Sequence, residues 1–264
     1  MRPLELVLFE TDAVRAKAAH AQGISSFMFD VEIRGKKQRQ NTFDTDISVT
    51  SLDKLPAFVA QSAIHPICRL DPWHSEIAFD IDNAIIGGAS ELLFPMVRTA
   101  GEVEGLLSLV DGRLPSGIMI ETKEILDCIV DISRMPLRRV YVGLNDLMIS
   151  IGGKNLFEPM IDGTVDRIRS QIGSLHFGIA GATRVDAGDP VPFRLLLADL
   201  ARLEVDFTML RRSFWRDGNS MRSNPQSRTL PNFGRIFWRE RRPKSFVTVR
   251  RSQPLFRLRK TENF

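Results

Sequence analysis

The chain has 264 residues, 43% of them hydrophobic, and a formal net charge of +4. This length and composition predict a globular protein with one large domain, or one domain with an appendage. No uncharged stretch approaches the roughly 18 residues that a membrane span needs, and Glu5 and Glu10 interrupt any signal-peptide core. We therefore expect a cytoplasmic protein without membrane contact. Cys68 and Cys128 lie far apart in apolar contexts and are expected to be buried thiols.

The charge is distributed unevenly along the chain. From Arg211 to the end, 15 Lys and Arg stand against 3 Asp and Glu, a net charge of +12, which leaves 21 against 29, a net charge of −8, for residues 1–210. The basic end contains several prolines and has no sustained helical or strand periodicity. We expect a folded domain over residues 1–216 and a basic tail over 217–264 that is poorly ordered unless a partner orders it.

Short apolar runs alternate with amphipathic stretches, which is typical of strand–helix units in a parallel sheet. The expected strands are LELVLFE (4–10), ISSFMFD (24–30), HPICRL (65–70), ELLFPMV (91–97), GIMIE (117–121), VYVGL (140–144), LHFGIAG (175–181) and VDFTML (205–210). The expected helices are AVRAKAAHAQ (13–22), LDKLPAFVAQSA (52–63), AGEVEGLLSLV (100–110), KEILDCIVDIS (123–133), TVDRIRSQI (164–172) and PFRLLLADLARL (192–203).

Eight strands with intervening helices predict a (β/α)8 TIM barrel, although no convincing helix follows the eighth strand. An open doubly wound sheet is the alternative. It is disfavoured because no strand leads into the Gly-rich turn of a dinucleotide site.

In such barrels the functional groups lie at the carboxyl ends of the strands. The polar residues at these ends are Asp30, Glu32, Arg69, Asp71, Arg98, Glu121, Asn145 and Asp146. Acidic side chains from three strands and an arginine therefore face one mouth.

Glu121 and Asp146 are one strand–helix unit apart, so they end neighbouring strands whose axes are about 4.8 Å apart. Two carboxylates this close repel unless a cation lies between them, and Mg²⁺ or Mn²⁺ prefers such oxygen ligands. For either residue alone a structural role is favoured: Glu121 would cap or pair with the next helix, and Asp146 would close a turn with Asn145. The pair favours a metal site.

Arg69 ends an otherwise apolar strand. Its guanidinium is suited to binding a substrate carboxylate or stabilising an enolate oxygen, and the alternative is an ion pair with Asp71 or Glu32. The strands contain no lysine, which disfavours Schiff-base chemistry and leaves a metal acting as a Lewis acid. The basic loop with Arg34, Lys36, Lys37 and Arg39 is read as a solvated surface.

Several motifs together resemble the HpcH/HpaI aldolase and citrate lyase family of the pyruvate and phosphoenolpyruvate barrel superfamily. They are GIMIETKEIL, VYVGLNDLMISIG, ICRL and ELLFPMVRTAGEVEGLL, and FDVEIRGKKQRQ is similar to the family's acidic second-strand motif. The resemblance runs from residue 4 to about residue 216.

The resemblance implies a metal-dependent carbon–carbon lyase that adds a pyruvate-like or acetyl-group enolate to a carbonyl partner. It implies that Glu121 and Asp146 bind Mg²⁺ or another divalent ion, and that Arg69 holds the 2-oxo acid and stabilises its enolate. The backbone N–H groups around Asn145 and Asp146 would contact the substrate carboxylate.

This chain departs from the family pattern in three places. Ile33 and Arg34 stand where the pyruvate aldolases carry a histidine, which leaves the general base unassigned. Met119 stands where some members have a glutamine. Residues from Gly218 onward do not resemble the helix that relatives pack on a neighbouring subunit, so a homo-oligomer remains an open possibility.

Two further functions stay open. One is a lyase of acyl-coenzyme A esters, as in the citrate lyase branch. The other is nucleic-acid binding through the basic tail, where clustered arginines accompany Phe233, Phe237, Trp238 and Phe256. The second is disfavoured because the patterned part of the chain is acidic and charge runs are commonly solvated.

Overall fold

The computed structural model describes residues 4–35, 50–183, 188 and 191–210. Eight parallel strands pair in chain order, and the last pairs with the first, so the sheet is a closed barrel. The strands are β1 (Glu5–Phe9), β2 (Ser26–Asp30), β3 (Ile67–Arg69), β4 (Glu91–Phe94), β5 (Ser116–Ile120), β6 (Arg139–Val142), β7 (His176–Ala182) and β8 (Phe207–Leu210). The predicted fold class is confirmed.

Helices lie between the strands. In the described ranges they are α1 (Ala13–His20), α2 (Leu55–Ser62), α3 (Ile77–Ile86), α4 (Ala100–Val110), α5 (Ile129–Ile132), α6 (Leu144–Ser150), α7 (Glu158–Ile161), α8 (Thr164–Gln171) and α9 (Phe193–Arg202), with 3-10 turns at Leu52–Lys54 and Glu124–Cys128. The helix predicted over 100–110 has the predicted bounds, and the predicted helices at 13–22, 52–63, 164–172 and 192–203 are present with shorter bounds.

The structure corrects two predictions after β5 and β6. The segment predicted as one helix over 123–133 is a 3-10 turn followed by the short α5. The sixth strand ends at Val142, and Leu144 begins α6 where we expected strand and then a turn. Leu144, Leu147 and Met148 in α6 are buried with helical spacing, but the pattern spans too few residues to predict a helix. The short α7 was also not predicted.

Two layers of apolar side chains surround the sheet. The larger core lies between the strands and the helices. The smaller core fills the barrel interior and consists of Val7, Met28, Ile67, Leu93, Met119, Tyr141, Phe207 and Met209. The interior is therefore packed in its middle, as expected for an eight-stranded barrel.

Inward positions recur every second residue along each strand, so the residues two positions above and below this middle layer also point inward. Above it, toward the carboxyl ends, lie Asp30, Arg69 and Glu121; below it lie Glu91 and Arg139. All five side chains are buried. The barrel thus has a charged layer at each end, and the upper layer is the mouth at which function was predicted.

Within the described ranges, no helix is both long and apolar enough to cross a membrane. Cys68 is buried as predicted, Cys128 is half-buried, and both are free thiols. The predicted tail over 217–264 and its boundary with the barrel domain lie outside the described residues, as do Lys36, Lys37 and Arg39.

Candidate active site

The guanidinium of Arg69 is held by carboxylates that follow β2. Its Nε and Nη2 donate to the two carboxylate oxygens of Asp30, each at 2.8 Å, and Oε2 of Glu32 lies 3.3 Å from Nη2. Asp30 and Arg69 are paired across β2 and β3, which explains the bidentate contact. Burial lowers the pKa of Arg69, but Asp30 and Glu32 outweigh it and raise this pKa well above its usual value.

The third nitrogen of Arg69 has a different neighbour. Nη1 lies 3.6 Å from the sulfur of Met119, and the ring centroid of Phe9 lies 5.3 Å from Cζ. A thioether is a weak acceptor, so this N–H retains capacity to bind a stronger one. The clamp therefore fixes the orientation of the guanidinium while Nη1 remains suited to an incoming oxygen.

Asp71 is not the partner of Arg69 that one sequence alternative offered. Its Oδ1 accepts from the backbone N–H groups of Ile33 and Arg34 at 2.6 and 2.8 Å. Asp71 therefore fixes the loop after β2, whereas Glu32, the other expected partner, does contact Arg69.

Glu121 lies at the carboxyl end of β5 with its side chain 3% exposed. The backbone N–H of Met96, after β4, donates to Oε2 at 3.1 Å. Gly143 lies against the other side of this side chain. One sequence alternative was that Glu121 caps the following helix. Its Oε2 does not do so, because this oxygen accepts from the loop that follows β4.

Asp146 lies in the first turn of α6 and is buried. It therefore lies in a helix, whereas the structural alternative placed it in a turn closed with Asn145. Next to it, the side-chain nitrogen Nδ2 of Asn145 is buried and has no hydrogen-bond partner. The backbone N–H groups of a first helical turn have no acceptor within the helix itself.

Among the residues that the structure describes, those at the mouth carry an excess of negative charge. Asp30, Glu32, Glu121 and Asp146 supply four carboxyl groups against the single guanidinium of Arg69, and all five side chains are buried. Burial, followed by the charges of Asp146 and Glu32, raises the pKa of Glu121 to about 8, against the opposing effects of Arg69 and the Met96 N–H. In the absence of a cation, Glu121 therefore holds a proton near neutral pH.

The donor set fits a hard divalent cation. Carboxylate oxygens are the ligands that Mg²⁺ prefers, and a cation would relieve the repulsion that raises the pKa of Glu121. Within the described ranges, no group of three or more His, Cys, Asp or Glu side chains is arranged to hold a metal. An ion here would thus rely on two carboxylates, with its other positions left to water and substrate oxygens, as is usual for Mg²⁺.

Three residues of this mouth, Asp30, Met96 and Gly143, were not assigned a role from the sequence, and Asn145 was assigned one only through its backbone N–H. Asp30 was recognised only as an acidic strand end, and its bidentate contact with Arg69 depends on strand register. Met96 adopts a positive φ of 56°, and neither Gly143 nor the Asn145 amide carried a signal of its own. Arg98, expected at the mouth, is half-exposed and lies 3.4 Å from Glu124.

No protein-family model and no curated protein matches this sequence. Solved structures match over most of the chain. An HpcH/HpaI aldolase/citrate lyase family protein from Burkholderia cenocepacia J2315 has a TM-score of 0.64 at 12% identity, covering 84% of this chain and 93% of its own. The citrate synthase SbnG has a TM-score of 0.63 at 17% identity, with the same coverages of 84% and 93%.

A third structure is the protein CitE from Mycobacterium tuberculosis in complex with magnesium and pyruvate. It has a TM-score of 0.55 at 17% identity, and the alignment covers 93% of each chain. At these identities the similarity is one of fold. The resemblance inferred from the sequence is thus confirmed at that level: this chain has the barrel fold of the HpcH/HpaI aldolase and citrate lyase family proteins.

Proposed function

We propose that this protein is a metal-dependent carbon–carbon lyase of the HpcH/HpaI aldolase and citrate lyase type, which forms or cleaves a bond to a pyruvate-like enolate. The observation that carries this proposal is the buried carboxylate pair, Glu121 and Asp146, beside Arg69 in a mouth with excess negative charge. The structural neighbour CitE was solved with magnesium and pyruvate, which supports the same ion and substrate class here.

Glu121 and Asp146 would hold Mg²⁺ or another divalent ion. When bound, this ion supplies Lewis-acid stabilisation of the oxygen that becomes the enolate. Because Met96 binds one oxygen of Glu121, that carboxylate is oriented before any ligand arrives. Orienting a ligand in advance lowers the cost of assembling the site.

Arg69 binds the 2-oxo acid through Nη1 and stabilises the negative charge that develops on it. Asp30 and Glu32 hold the other side of the guanidinium, so its position does not depend on the substrate. A fixed donor aimed at developing charge is worth more than a mobile one, since it needs no reorganisation during the reaction.

Asn145 contributes donors on the opposite side of the mouth. The Nδ2 group has no partner in the protein, and a buried donor without a partner costs free energy that a ligand oxygen would recover. We assign this amide and the backbone N–H groups of Asn145 and Asp146 to the substrate carboxylate.

The test is proton exchange of pyruvate in D₂O, followed by NMR of its methyl group. We expect exchange with Mg²⁺ or Mn²⁺ present and none after chelation. Glu121→Gln should abolish exchange, because it removes one ligand charge. Glu124→Gln, a control three residues further along the chain, should leave exchange intact.

The proposal fails if the wild-type protein with either ion does not exchange the methyl protons of pyruvate, or if Glu121→Gln exchanges as fast as the wild type. The second candidate is a lyase of acyl-coenzyme A esters, favoured by the absence of the aldolase histidine at Ile33 and Arg34. Exchange of the methyl protons of acetyl-coenzyme A, but not of pyruvate, would identify that branch.

A further inference from the structure

We propose that Gly143 is a positioning residue for the Glu121 carboxylate, and that its lack of a side chain determines the divalent-ion affinity of the mouth. The proposal rests on the ion site of the proposed function. It names a residue outside the expected ligands and gives it a role that can be measured without turnover.

The first observation is steric. A Cβ atom added at Gly143 would lie 2.7 Å from Cγ and 2.9 Å from Cδ of Glu121, and it would also overlap Oε1. Real Cβ atoms do not approach carbon this closely, so any side chain at position 143 would displace the carboxyl group. Glu121 therefore occupies the volume that a side chain at 143 would fill.

The second observation excludes the usual reason for a glycine. Gly143 has a φ of −83°, a value open to every residue, so the position does not require glycine for its backbone conformation. The requirement comes from the neighbouring side chain.

The third observation is that the backbone of Gly143 cannot easily move away. Its N–H donates to the carbonyl of Ile120 at 3.2 Å, and its carbonyl accepts from Leu147 at 3.0 Å. The first bond extends the β5–β6 pairing one residue beyond Ile120 and Val142, and the second begins α6. A side chain at 143 would therefore push Glu121 rather than the chain that carries it.

The opposite side of the carboxylate is fixed as well. The N–H of Met96 binds Oε2 at 3.1 Å, and Met96 holds a positive φ of 56°, which is costly for a residue with a side chain. The Glu121 carboxylate thus lies between the N–H of Met96, in the loop after β4, and the Cα of Gly143, which carries no side chain. Displacing it from one side breaks the contact on the other.

The experiment compares Gly143→Ala with Gly101→Ala, a control in α4 where an added Cβ meets nothing closer than 3.9 Å. Mn²⁺ binding to each metal-free protein is measured by the EPR signal of free Mn²⁺. We expect Gly143→Ala to lower the affinity at least tenfold and Gly101→Ala to leave it unchanged. Unchanged affinity in Gly143→Ala would overturn the proposal.

A second readout needs no metal. Gly143→Ala is made in the wild type and in a Glu121→Ala background, and urea unfolding midpoints are compared. We expect the alanine to lower the midpoint strongly with Glu121 present and weakly without it. If Gly143→Ala folds only in the Glu121→Ala background, that supports the same coupling. An equal loss in both backgrounds, or failure to fold in both, would show a purely structural glycine and overturn the proposal.

The two readouts separate this inference from the proposed function. If the wild-type protein does not bind Mn²⁺, the proposed metal dependence fails, and the metal-free comparison alone decides whether Gly143 positions Glu121.

Discussion

The two ends of the barrel interior differ in how many carboxyl groups face a buried arginine. At the lower end, Nε of Arg139 donates to Glu91 at 2.6 Å and its Nη1 lies 3.4 Å from Glu5. At the upper end, one arginine faces four carboxyl groups. One guanidinium thus faces two carboxyl groups at the lower end and, among the described residues, four at the upper end, where the excess of acid is larger.

At both ends, a glycine at one of the neighbouring strands β5 and β6 leaves room for a long charged side chain at the other. At the lower end Gly117 pairs with Arg139, and a Cβ at Gly117 would lie 2.7 Å from Cγ of Arg139. At the upper end the arrangement is reversed: the long side chain is that of Glu121, directly after β5, and the glycine is Gly143, directly after β6. A glycine beside a long charged side chain is therefore found at both ends of the barrel interior, and the two ends differ in how many carboxyl groups face the arginine.

At the lower end, Arg139 also contacts an aromatic ring. Cζ of Arg139 lies 4.7 Å from the ring centroid of Phe207, and the ring of His176 lies 5.2 Å from that of Phe207. Burial, with Arg139 adding to it, lowers the pKa of His176. Arg139 is paired by carboxylates of the protein itself, whereas Nδ1 of His176 is buried without a hydrogen-bond partner.

The largest effect is expected at the lower end. Arg139→Met leaves Glu91 and Glu5 without their cation, which should lower the free energy of unfolding by about 3–5 kcal/mol. Urea unfolding measures this. Arg134→Met, on the exposed Arg134–Asp131 pair, is the control and should change stability by less than about 0.5 kcal/mol. Equal stabilities of the two variants would mean that the lower layer does not stabilise the fold.

At the upper end, removing a charge should raise the free energy of unfolding instead of lowering it. Glu121→Gln should raise the unfolding free energy of the metal-free protein by about 1–3 kcal/mol at pH 8, because it removes one of four buried like charges. The same change at the lower end, Glu91→Gln, should have a smaller effect, because the ion pair with Arg139 opposes the burial that raises the pKa of Glu91. A stability loss in Glu121→Gln would contradict the proposed charge excess.

The stability of Glu121→Gln should also depend on pH differently from that of the wild type. The pKa of Glu121 is about 8 in the folded protein, against an ordinary value of 4.5 in the unfolded chain. The folded state therefore binds the proton more tightly, and this contribution to stability is complete below about pH 4.5 and is lost as the pH rises to about 8. Urea midpoints measured across this window should fall more steeply in the wild type than in Glu121→Gln, without metal.

The smallest effect is expected at Met96. Met96→Gly relieves the cost of the positive φ while losing side-chain contacts, so we expect a stability change within about 0.5 kcal/mol and unaltered Mn²⁺ binding, since the N–H remains. Met160→Gly in α7, whose residue has no positive φ to relieve, should cost at least about 1 kcal/mol in thermal or urea unfolding. Similar losses in the two variants would show that φ strain at Met96 is negligible.

Much of the fold could be predicted because its signals are local. Parallel strands buried on both faces appear as short apolar runs such as GIMIE and ELLF, and the intervening helices show amphipathic spacing. The predictions failed where a segment is too short to display a period. Helix α6 has seven residues and follows β6 with only Gly143 between them, so its first turn was read as the end of a strand.

The sequence by itself determined which side chains could reach the mouth. Because strands end where apolar runs end, Arg69, Glu121 and Asp146 could be assigned to the carboxyl end of the barrel from their positions alone. Their charges predicted a cation and an anionic substrate, and the structure brings all three into one buried cluster.

Only the tertiary structure decided how these groups are held. Asp30 binds Arg69 across 39 residues of sequence, and the Met96 N–H binds Glu121 across 25. Both contacts depend on the register of neighbouring parallel strands, as does the approach of Glu121 to Gly143. Register is set by the closure of the whole sheet and the packing of its interior. It therefore cannot be predicted from the local periodicity of the sequence.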